Sequence, residues 1–516
     1  MTKPQVLLQV ENLTVSFDRP SFNIPTLKGI GFTINKNEIL AIVGESGSGK
    51  SITSLAIMGL LPKSISKITN GKITFLKASL LDKNEKEMMA LRGRNISMIF
   101  QEPMSALNPS MRCGTQVEEI LIKHDIVTKS NVRNEVIRLF EQVKLPNPSR
   151  IYKAYPHEIS GGQKQRVMIA MAIACKPQLL IADEPTTALD VTVQKEIIEL
   201  LKGLQNETEM SILFISHDLS LVSEIADRVL VMYQGTIVEE GLPKNIFTSP
   251  KEAYTKALIM ARPNSKERLK RLPTVESILD LSFKRSAINS IDRLKSHNKL
   301  YQQDPWLEVR DVSKYYLSKL GWFKTEAFKA VDDVNFKVYP GETLGLVGES
   351  GCGKSTLSNT ITLLTKATKG HIFFNGKDIT ALNKAETRLL RKDIQIIFQD
   401  PFASLNPRLS VEQTLLEPMK VHRIGSNNIE REERIIEILK RVGLNESDLK
   451  KYPHEFSGGQ RQRIGIARAI ILQPKLIICD ESVSALDISV QAQVLNLLND
   501  LKEDFQFTYI FISHDL

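Results

Sequence analysis

The chain contains Gly44-Glu-Ser-Gly-Ser-Gly-Lys-Ser51, which returns almost unchanged as Gly348-Glu-Ser-Gly-Cys-Gly-Lys-Ser355. The pattern G-x-x-x-x-G-K-[ST] forms a loop of backbone N–H groups that wraps nucleotide phosphates, with glycines where a side chain would block the approach. Each copy follows a short apolar run, residues 39–43 and 343–347, and precedes a helix-like segment, as a strand–loop–helix requires. The sequence therefore predicts a duplicated chain with two phosphate-binding loops.

In this motif the lysine reaches the β and γ phosphates, and the final hydroxyl coordinates Mg²⁺. The loop residues expected to bind nucleotide are Gly44, Ser46, Gly47, Gly49, Lys50 and Ser51 in the first copy, and Gly348, Ser350, Gly351, Gly353, Lys354 and Ser355 in the second. Ser51 and Ser355 are also expected to be metal ligands.

Length and composition are those of an ordinary soluble protein with room for two or more domains: 516 residues, 42% hydrophobic and 25% charged. No apolar run reaches the roughly 18 residues of a membrane span, and the N-terminus lacks the apolar core of a signal peptide. We expect a cytosolic chain. Its four cysteines, Cys113, Cys175, Cys352 and Cys479, form no C-x-x-C pair, which argues against a disulfide framework, a zinc site or an iron–sulfur cluster.

The net charge of +9 arises largely between residues 265 and 301, where lysines and arginines outnumber acidic residues. This segment also lacks sustained apolar periodicity, which indicates a solvated linker between the copies. The alternative is a weak electrostatic contact with anionic lipid headgroups or acidic partner loops.

Within each copy, apolar alternation before the phosphate loop predicts a small antiparallel sheet, and later apolar strands alternating with helical patterns predict a parallel core, so the fold class is α/β. Residues 117–143 have a helical pattern. The apolar runs 179–182 and 476–479 predict buried strands, and both end in Asp-Glu. Their carboxylates then emerge at the C-terminal edge of a sheet, where α/β folds place chemistry.

Three acidic or basic groups recur in each copy and suit phosphoryl transfer, which mainly needs positioning and charge stabilisation. Asp183 and Asp480 can hold the shell of a Mg²⁺ ion, and Glu184 and Glu481 can orient or deprotonate the attacking water. His217 and His514 each follow an apolar strand within Ile-Ser-His-Asp-Leu, where an imidazole could hydrogen-bond a γ-phosphate.

The segment Ser160-Gly-Gly-Gln163, repeated as Ser457-Gly-Gly-Gln460, predicts a serine N-cap followed by a helix whose first N–H groups are exposed. Such a helix start can bind an anion even though no phosphate loop precedes it. The residues expected to contribute are Ser160, Gly161, Gly162, Ser457, Gly458 and Gly459.

Taken together, the phosphate loop, Phe-Gln, Ser-Gly-Gly-Gln, Asp-Glu, Ala-Leu-Asp and His motifs resemble those of ATP-binding cassette (ABC) ATPases over nearly the whole chain. The resemblance implies two P-loop NTPase domains, each with a RecA-like parallel-sheet core, an antiparallel β subdomain and a helical subdomain. It implies ATP and Mg²⁺ as cofactors, Gln101 and Gln399 as nucleotide and metal contacts, and Phe17 and Tyr316 as adenine-stacking residues.

In that family two cassettes pair head to tail, so that the serine-glycine signature of one closes over the nucleotide of the other. The resemblance then implies two composite sites, made from Lys50, Ser51, Gln101, Asp183, Glu184 and His217 with Ser457 and Gly459 opposite, and from Lys354, Ser355, Gln399, Asp480, Glu481 and His514 with Ser160 and Gly162 opposite.

A narrower resemblance lies in the flanking segments Phe100–Pro109 and Phe398–Pro407 and in Tyr-Pro-His-Glu before each signature. These are similar to ATPases of bacterial oligopeptide, dipeptide and nickel importers, in the fused two-cassette form of microcin C-type and glutathione importers. The resemblance implies two membrane-spanning permease subunits as partners, a periplasmic or extracellular solute-binding protein as an indirect partner, no nucleic acid, and a peripheral place on the cytoplasmic face of the inner membrane.

On this basis we expect a first cassette at 1–241, an oligopeptide-type extension at 242–263, a basic linker at 264–303 and a second cassette at 304–516. In the extension, Tyr254 and Thr255 match the family's His-Pro-Tyr-Thr motif. The second copy stops soon after His514, so we also expect a cassette truncated at its C-terminus, with a weaker hydrolytic site around Lys354.

Two alternatives stay open at this stage. One is a soluble tandem cassette of the translation-factor type, although the chain has the Phe-Gln-Glu-Pro segment with which the family's transporters touch membrane subunits. The other is a degenerate remnant that binds ATP and transports nothing. The transported solute is expected to be a peptide, with glutathione or nickel as alternatives.

Overall fold

The computed structural model describes residues 5–17, 25–101, 106–187, 189–262, 267–319, 325–349, 351–484 and 486–513. The chain divides into two compact units. Unit 1 comprises Met1–Arg262 and Val275–Ser282, and unit 2 comprises Pro263–Thr274 and Phe283–Leu516. Each unit combines an antiparallel sheet, a parallel sheet and helices, which confirms the α/β class expected from the sequence.

Unit 1 contains two sheets. The antiparallel sheet has the strand order β2-β1-β4-β5, and the six-stranded sheet has the order β10-β9-β3-β8-β7-β6. In the second sheet all neighbours are parallel except the β9–β10 hairpin. The strands are β1 (Val6–Phe17), β2 (Pro25–Asn35), β3 (Ile39–Val43), β4 (Ser66–Phe75), β5 (Ala78–Ser79), β6 (Ile96–Ile99), β7 (Leu179–Asp183), β8 (Ser211–Ile215), β9 (Arg228–Tyr233) and β10 (Thr236–Gly241).

The parallel sheet is buried on both faces, which explains why its strands are continuously apolar. Successive residues of β3 point to opposite sides: Ile39, Ala41 and Val43 belong to one buried cluster, and Leu40 and Ile42 belong to the other. The carboxyl ends of β3, β7 and β8 therefore meet at one rigid edge, and the phosphate loop follows β3 there.

One helix prediction in unit 1 needs a correction. The stretch 117–143 is two helices rather than one, because Asp125 adopts a left-handed φ of 52° and the Ile126 N–H turns back to the Leu121 carbonyl. The helices are α1 (Lys50–Ile57), α2 (Glu85–Leu91), α3 (Cys113–Lys123), α4 (Val132–Gln142), α5 (Pro148–Lys153), α6 (Gly161–Ile173), α7 (Val191–Thr208), α8 (Leu219–Ile225), α9 (Pro243–Thr248), α10 (Ala253–Met260) and α11 (Val275–Leu279).

Unit 2 repeats this plan, as the duplicated sequence predicts. Its antiparallel sheet has the order β12-β11-β14-β15, and its described parallel strands have the order β13-β18-β17-β16. The strands are β11 (Leu307–Lys319), β12 (Thr325–Val338), β13 (Thr343–Val347), β14 (Lys369–Phe374), β15 (Lys377–Asp378), β16 (Ile394–Ile397), β17 (Leu476–Asp480) and β18 (Thr508–Ser513). The helices are α12 (Ser290–Leu300), α13 (Lys354–Ile361), α14 (Lys384–Asp393), α15 (Pro401–Ser404), α16 (Val411–Val421), α17 (Asn428–Arg441), α18 (Gly458–Ile470) and α19 (Ile488–Phe505).

The segment expected to be a solvated linker has local structure. Leu269 and Ala287 form an antiparallel β-bridge inside unit 2, whereas α11 belongs to unit 1 and buries Val275 to 2% exposure. The segment also contains α12 (Ser290–Leu300), which has no buried residue. The sequence missed this structure because α11 and the bridge are too brief, and α12 too polar, to produce apolar periodicity.

Over the ranges that the structure describes, every helix is too short or too polar to cross a bilayer.

Candidate nucleotide sites

The first phosphate loop is held between β3 and α1. Gly49 is the N-cap of α1 with a left-handed φ of 106°, and a Cβ there would lie 2.6 Å from Leu27 Cδ2, so glycine is needed for both conformation and packing. Lys50 is 5% exposed, and its ammonium donates to the carbonyls of Gly44 and Glu45 at 2.8 and 2.9 Å. The lysine head is therefore fixed over the loop that is expected to wrap the phosphates.

Asp183 ends β7 beside the start of α1. The hydroxyls of Ser51 and Ser54 donate to its two carboxylate oxygens at 3.1 and 3.3 Å. Burial, assisted by the neighbouring charge of Glu184, raises the pKa of Asp183 to about 6. Ser51 was expected from the sequence, whereas Ser54 was not.

Glu184, the next residue, is 8% exposed and has a left-handed φ of 49°, a strained conformation for a non-glycine residue. Its Oε2 accepts hydrogen bonds from Gln101 Nε2 and Thr187 Oγ1, both at 2.9 Å, and lies 3.2 Å from His217 Nδ1. Burial raises the pKa of Glu184, but His217 and Lys50 outweigh it and bring the pKa down to about 2. The fold thus brings together the side chains of Gln101, Glu184 and His217, which are far apart along the chain.

The second site repeats most of this geometry. Lys354 donates to the carbonyls of Gly348 and Glu349 at 2.6 and 2.9 Å, and Ser355 Oγ donates to Asp480 at 3.2 Å. Burial raises the pKa of Asp480, and Glu481 has a φ of 46° and accepts from Gln399 Nε2 at 2.6 Å. Two expected residues of this site, Ser350 and His514, lie outside the described residues.

The two signature segments form the predicted caps. The hydroxyls of Ser160 and Ser457 accept the N–H groups of Gln163 and Gln460, at the starts of α6 and α18. Ser160, Gly161, Ser457 and Gly458 are exposed. A Cβ on Gly162 would lie 2.9 Å from Val193, and one on Gly459 would lie 2.6 Å from Val490, so both glycines also permit close helix packing.

The two residues expected to stack on adenine differ in environment. Phe17 ends β1 and packs partly against the buried cluster of the antiparallel sheet. Tyr316 is 43% exposed, and the ammonium of Lys314 lies 5.2 Å from its ring centroid. Their role remains an expectation.

A family model described as ABC transporter matches residues 27–187 and 331–484, which include both phosphate loops and both Asp-Glu strand ends. The chain belongs to the ABC transporter family. It is therefore an ABC-type ATPase that binds ATP, and its two matched regions are tandem P-loop cassettes.

Some relatives of this chain align with nearly its whole length. The chain is 43% identical over 519 residues to the glutathione import ATP-binding protein GsiA of Pectobacterium atrosepticum, and 44% identical over 519 residues to that of Escherichia coli K12. Each alignment covers 99% of this chain and 82% of the relative.

Single ABC cassettes are found among similar solved structures. CbiO1 of Clostridium perfringens, part of the ABC transporter complex CbiONQ, is 30% identical with a TM-score of 0.42 over 49% of this chain and 94% of its own. The post-hydrolysis dimer of the ATP-binding cassette MJ0796 is 29% identical with a TM-score of 0.42 over 46% of this chain and 99% of its own.

Sequence reasoning missed two residues of this ABC site, Thr187 and Ser54. Both have counterparts in the second copy, because Ser484 stands three residues after Glu481 and Ser358 three residues after Ser355. A hydroxyl that recurs at fixed spacing from a candidate catalytic carboxylate or from a phosphate-loop serine was the available signal.

A surface groove of about 290 Å³ lies beside Phe100, the residue before Gln101. Its lining includes Phe100, Glu119, Ile120, Lys123, His124 and Met171. The groove is therefore adjacent in sequence to Gln101, which donates a hydrogen bond to Glu184.

Proposed function

We propose that this chain is the ATP-hydrolysing subunit of an ABC importer for peptides or related small solutes, glutathione among them. The observation that carries the proposal is the Glu184 cluster, in which Gln101, Thr187 and His217 converge on one carboxylate next to a phosphate loop. The solute class rests on the similarity to glutathione import ATP-binding proteins. Among the described contacts of these sites, none favours the alternatives of a translation-factor-type cassette or a degenerate remnant that transports nothing.

A Mg²⁺ ion fits the residues present at both sites. Ser51 and Asp183, or Ser355 and Asp480, are hard oxygen donors 3.1 and 3.2 Å apart, and Asp183 is a buried carboxylate bonded to two hydroxyls. Its raised pKa indicates an anion that a cation would stabilise. Gln101 and Gln399 would add an amide oxygen, and the ion would neutralise phosphate charge when bound.

Glu184 is suited to orienting water rather than to removing its proton. A carboxylate with a pKa near 2 is ionised throughout the neutral range and is a weak base. Gln101, Thr187 and His217 fix its Oε2, and the carboxylate so oriented can accept a hydrogen bond from a water in line with the γ-phosphorus. Lys50, fixed by two loop carbonyls, is placed to balance charge on the phosphates.

We propose that the two sites are composite, with Ser457 and Gly459 completing the site at Lys50 and with Ser160 and Gly162 completing the site at Lys354. The exposed, capped helix starts support this proposal, because their free N–H groups and positive dipole ends can bind a phosphate supplied from outside the unit. ATP would then join the two cassettes, and hydrolysis would release them.

Two membrane-spanning permease subunits are the proposed direct partners, which places the chain at the cytoplasmic face of the inner membrane, with a solute-binding protein as an indirect partner. The groove beside Phe100 supports this, because a permease segment seated there would act on Gln101 through one peptide bond.

The test is ATP turnover by the full chain, alone and with its permease subunits in liposomes. We expect stimulation by the permeases, and a loss of about 100-fold or more in Glu184→Gln and in Glu481→Gln. Lys123→Glu, on the groove, should retain basal turnover and lose stimulation, whereas Lys129→Glu, exposed outside the groove, should retain both. Nucleotide binding without turnover under every condition, or stimulation by ribosomes in place of permeases, would refute the proposal.

A further inference from the structure

The extension after the first cassette touches the phosphate loop of unit 1. Tyr254 lies in the first turn of α10 and is 5% exposed. Its hydroxyl accepts a hydrogen bond from the backbone N–H of Glu45 at 3.0 Å, across 209 residues of sequence. A buried tyrosine hydroxyl thus bonds the backbone of the phosphate loop directly.

The bonded group belongs to a peptide unit that is held at both ends. The N–H of Glu45 and the carbonyl of Gly44 are parts of the same planar amide. Tyr254 accepts from the N–H, and Lys50 Nζ donates to the carbonyl at 2.8 Å. Because rotation of this amide would break both bonds, the tyrosine and the lysine stabilise one loop conformation together.

The loop backbone is also closely packed at this point. Gly44 has a φ of 152°, and a Cβ there would lie 2.2 Å from the Met232 carbonyl oxygen. Tyr233, which follows Met232 at the end of β9, stacks on Tyr254 with ring centroids 4.0 Å apart. The end of β9 therefore supports both the loop and the tyrosine ring that bonds it.

We infer that Tyr254 is a positioning residue for the first nucleotide site, which holds the Gly44–Glu45 peptide so that Lys50 meets the phosphates. This role rests on the proposed nucleotide site at Lys50. It would make the extension part of the ATPase machinery, since α10 and α11 pack together and bury Tyr254 and Val275 in the same cluster.

The second phosphate loop provides an internal control. Lys354 donates to the Gly348 carbonyl at 2.6 Å, but within the ranges that the structure describes no side chain accepts from the Glu349 N–H. A change at Tyr254 should therefore affect the first site alone.

The experiment uses the full chain and Mg·ADP. Lys354→Ala isolates the first site, and Lys50→Ala isolates the second. In the Lys354→Ala background, Tyr254→Phe should weaken Mg·ADP binding about fivefold, the factor of one neutral hydrogen bond, with no change in the Lys50→Ala background. Tyr152→Phe is the matched control, because it removes a tyrosine hydroxyl of unit 1 that bonds Glu118 rather than the phosphate loop, and it should leave both affinities unchanged.

Unchanged first-site affinity in Tyr254→Phe, or equal weakening of both sites, would overturn the inference. The double variant Lys50→Ala/Lys354→Ala separates this from failure of the proposed sites: if it still binds Mg·ADP, the nucleotide sites are misplaced and the inference falls with them. Amide hydrogen exchange gives a second readout, since Tyr254→Phe should accelerate exchange in the peptide that contains Glu45 and not in the one that contains Glu349.

Discussion

At the scale of single residues, the two sites share a strained backbone at the proposed catalytic carboxylate. Glu184 and Glu481 have φ values of 49° and 46°, and their N–H groups bond the carbonyls of Ile215 and Ile512 on the neighbouring strand. A left-handed glutamate costs about 1–3 kcal/mol and persists only where its surroundings impose it. In both copies the bond to the neighbouring strand holds the glutamate backbone in this conformation.

Thr187 should contribute to turnover through Glu184. Thr187→Val keeps the shape of the side chain but removes the 2.9 Å bond to Glu184 Oε2, so the carboxylate loses one of its fixed partners. We expect ATP turnover to fall about threefold to tenfold with ATP affinity unchanged. Thr192→Val, at an exposed position on α7, is the control. A loss of affinity equal to the loss of turnover would show that Thr187 acts on nucleotide binding instead.

The cysteines should differ sharply in reactivity. Burial raises the pKa of Cys113 and Cys175 to about 11 and that of Cys479 to about 12. At pH 8 these thiols stay protonated and therefore inert, whereas Cys352 is exposed on the second phosphate loop. Alkylation at pH 8 should modify Cys352 first, and Mg·ATP should slow it. Mass spectrometry of the labelled peptides checks this, and equally fast labelling of Cys113 would contradict it.

At the scale of secondary-structure elements, the segment after the extension attaches to α19 of unit 2. The side-chain amide of Asn496 bonds both backbone groups of Leu272, accepting from its N–H and donating to its carbonyl at 2.8 Å each. Asn496 is 5% exposed, and Arg271 pairs with Asp500 one turn further along the helix. A single side chain thus satisfies both backbone hydrogen-bonding groups of Leu272.

Asn496→Ala should release this segment. It removes two hydrogen bonds, or about 1–3 kcal/mol of local stability, so trypsin should cleave after Lys270 or Arg271 at least several-fold faster than in the wild type. Asn499→Ala, at an exposed position on the same helix, should cleave at the wild-type rate. Equal cleavage of both variants would mean that the Asn496 amide does not restrain the segment.

The sequence predicted elements that are governed by local patterns and missed those that depend on distant partners. The strands 179–183 and 476–480 were evident from continuous apolar runs, and the caps at Ser160 and Ser457 from their motif. Asn496 gave no signal, because a buried amide is recognisable only when its backbone partner is known. Tyr254 was noticed through its motif, but its bond to a loop 209 residues away could not be read from the sequence.

At the scale of the whole molecule, the two phosphate-loop motifs raise the question of whether the two sites act independently. Both lysines are buried and bond two loop carbonyls. Both aspartates have raised pKa values because of burial. The composite arrangement proposed above requires that each loop depend on the other half.

Turnover by single variants should reveal this dependence. Independent sites would give rates for Lys50→Ala and Lys354→Ala that add up to the wild-type rate. Composite sites should give a sum well below it, with each variant reduced about tenfold or more. Steady-state phosphate release by the full chain, with folding checked by thermal unfolding, distinguishes the two cases. Additive rates would exclude coupling.

The division of the chain after Thr274 bears on how its halves can be produced separately. Val275 is 2% exposed and fills the core of unit 1, whereas Pro263–Thr274 belongs to unit 2. A polypeptide ended at Arg262 would therefore present an uncovered apolar face on α10 and tend to aggregate. A soluble first half needs residues 275–282 restored, as a short graft joined directly behind α10 or as a synthetic peptide added in trans.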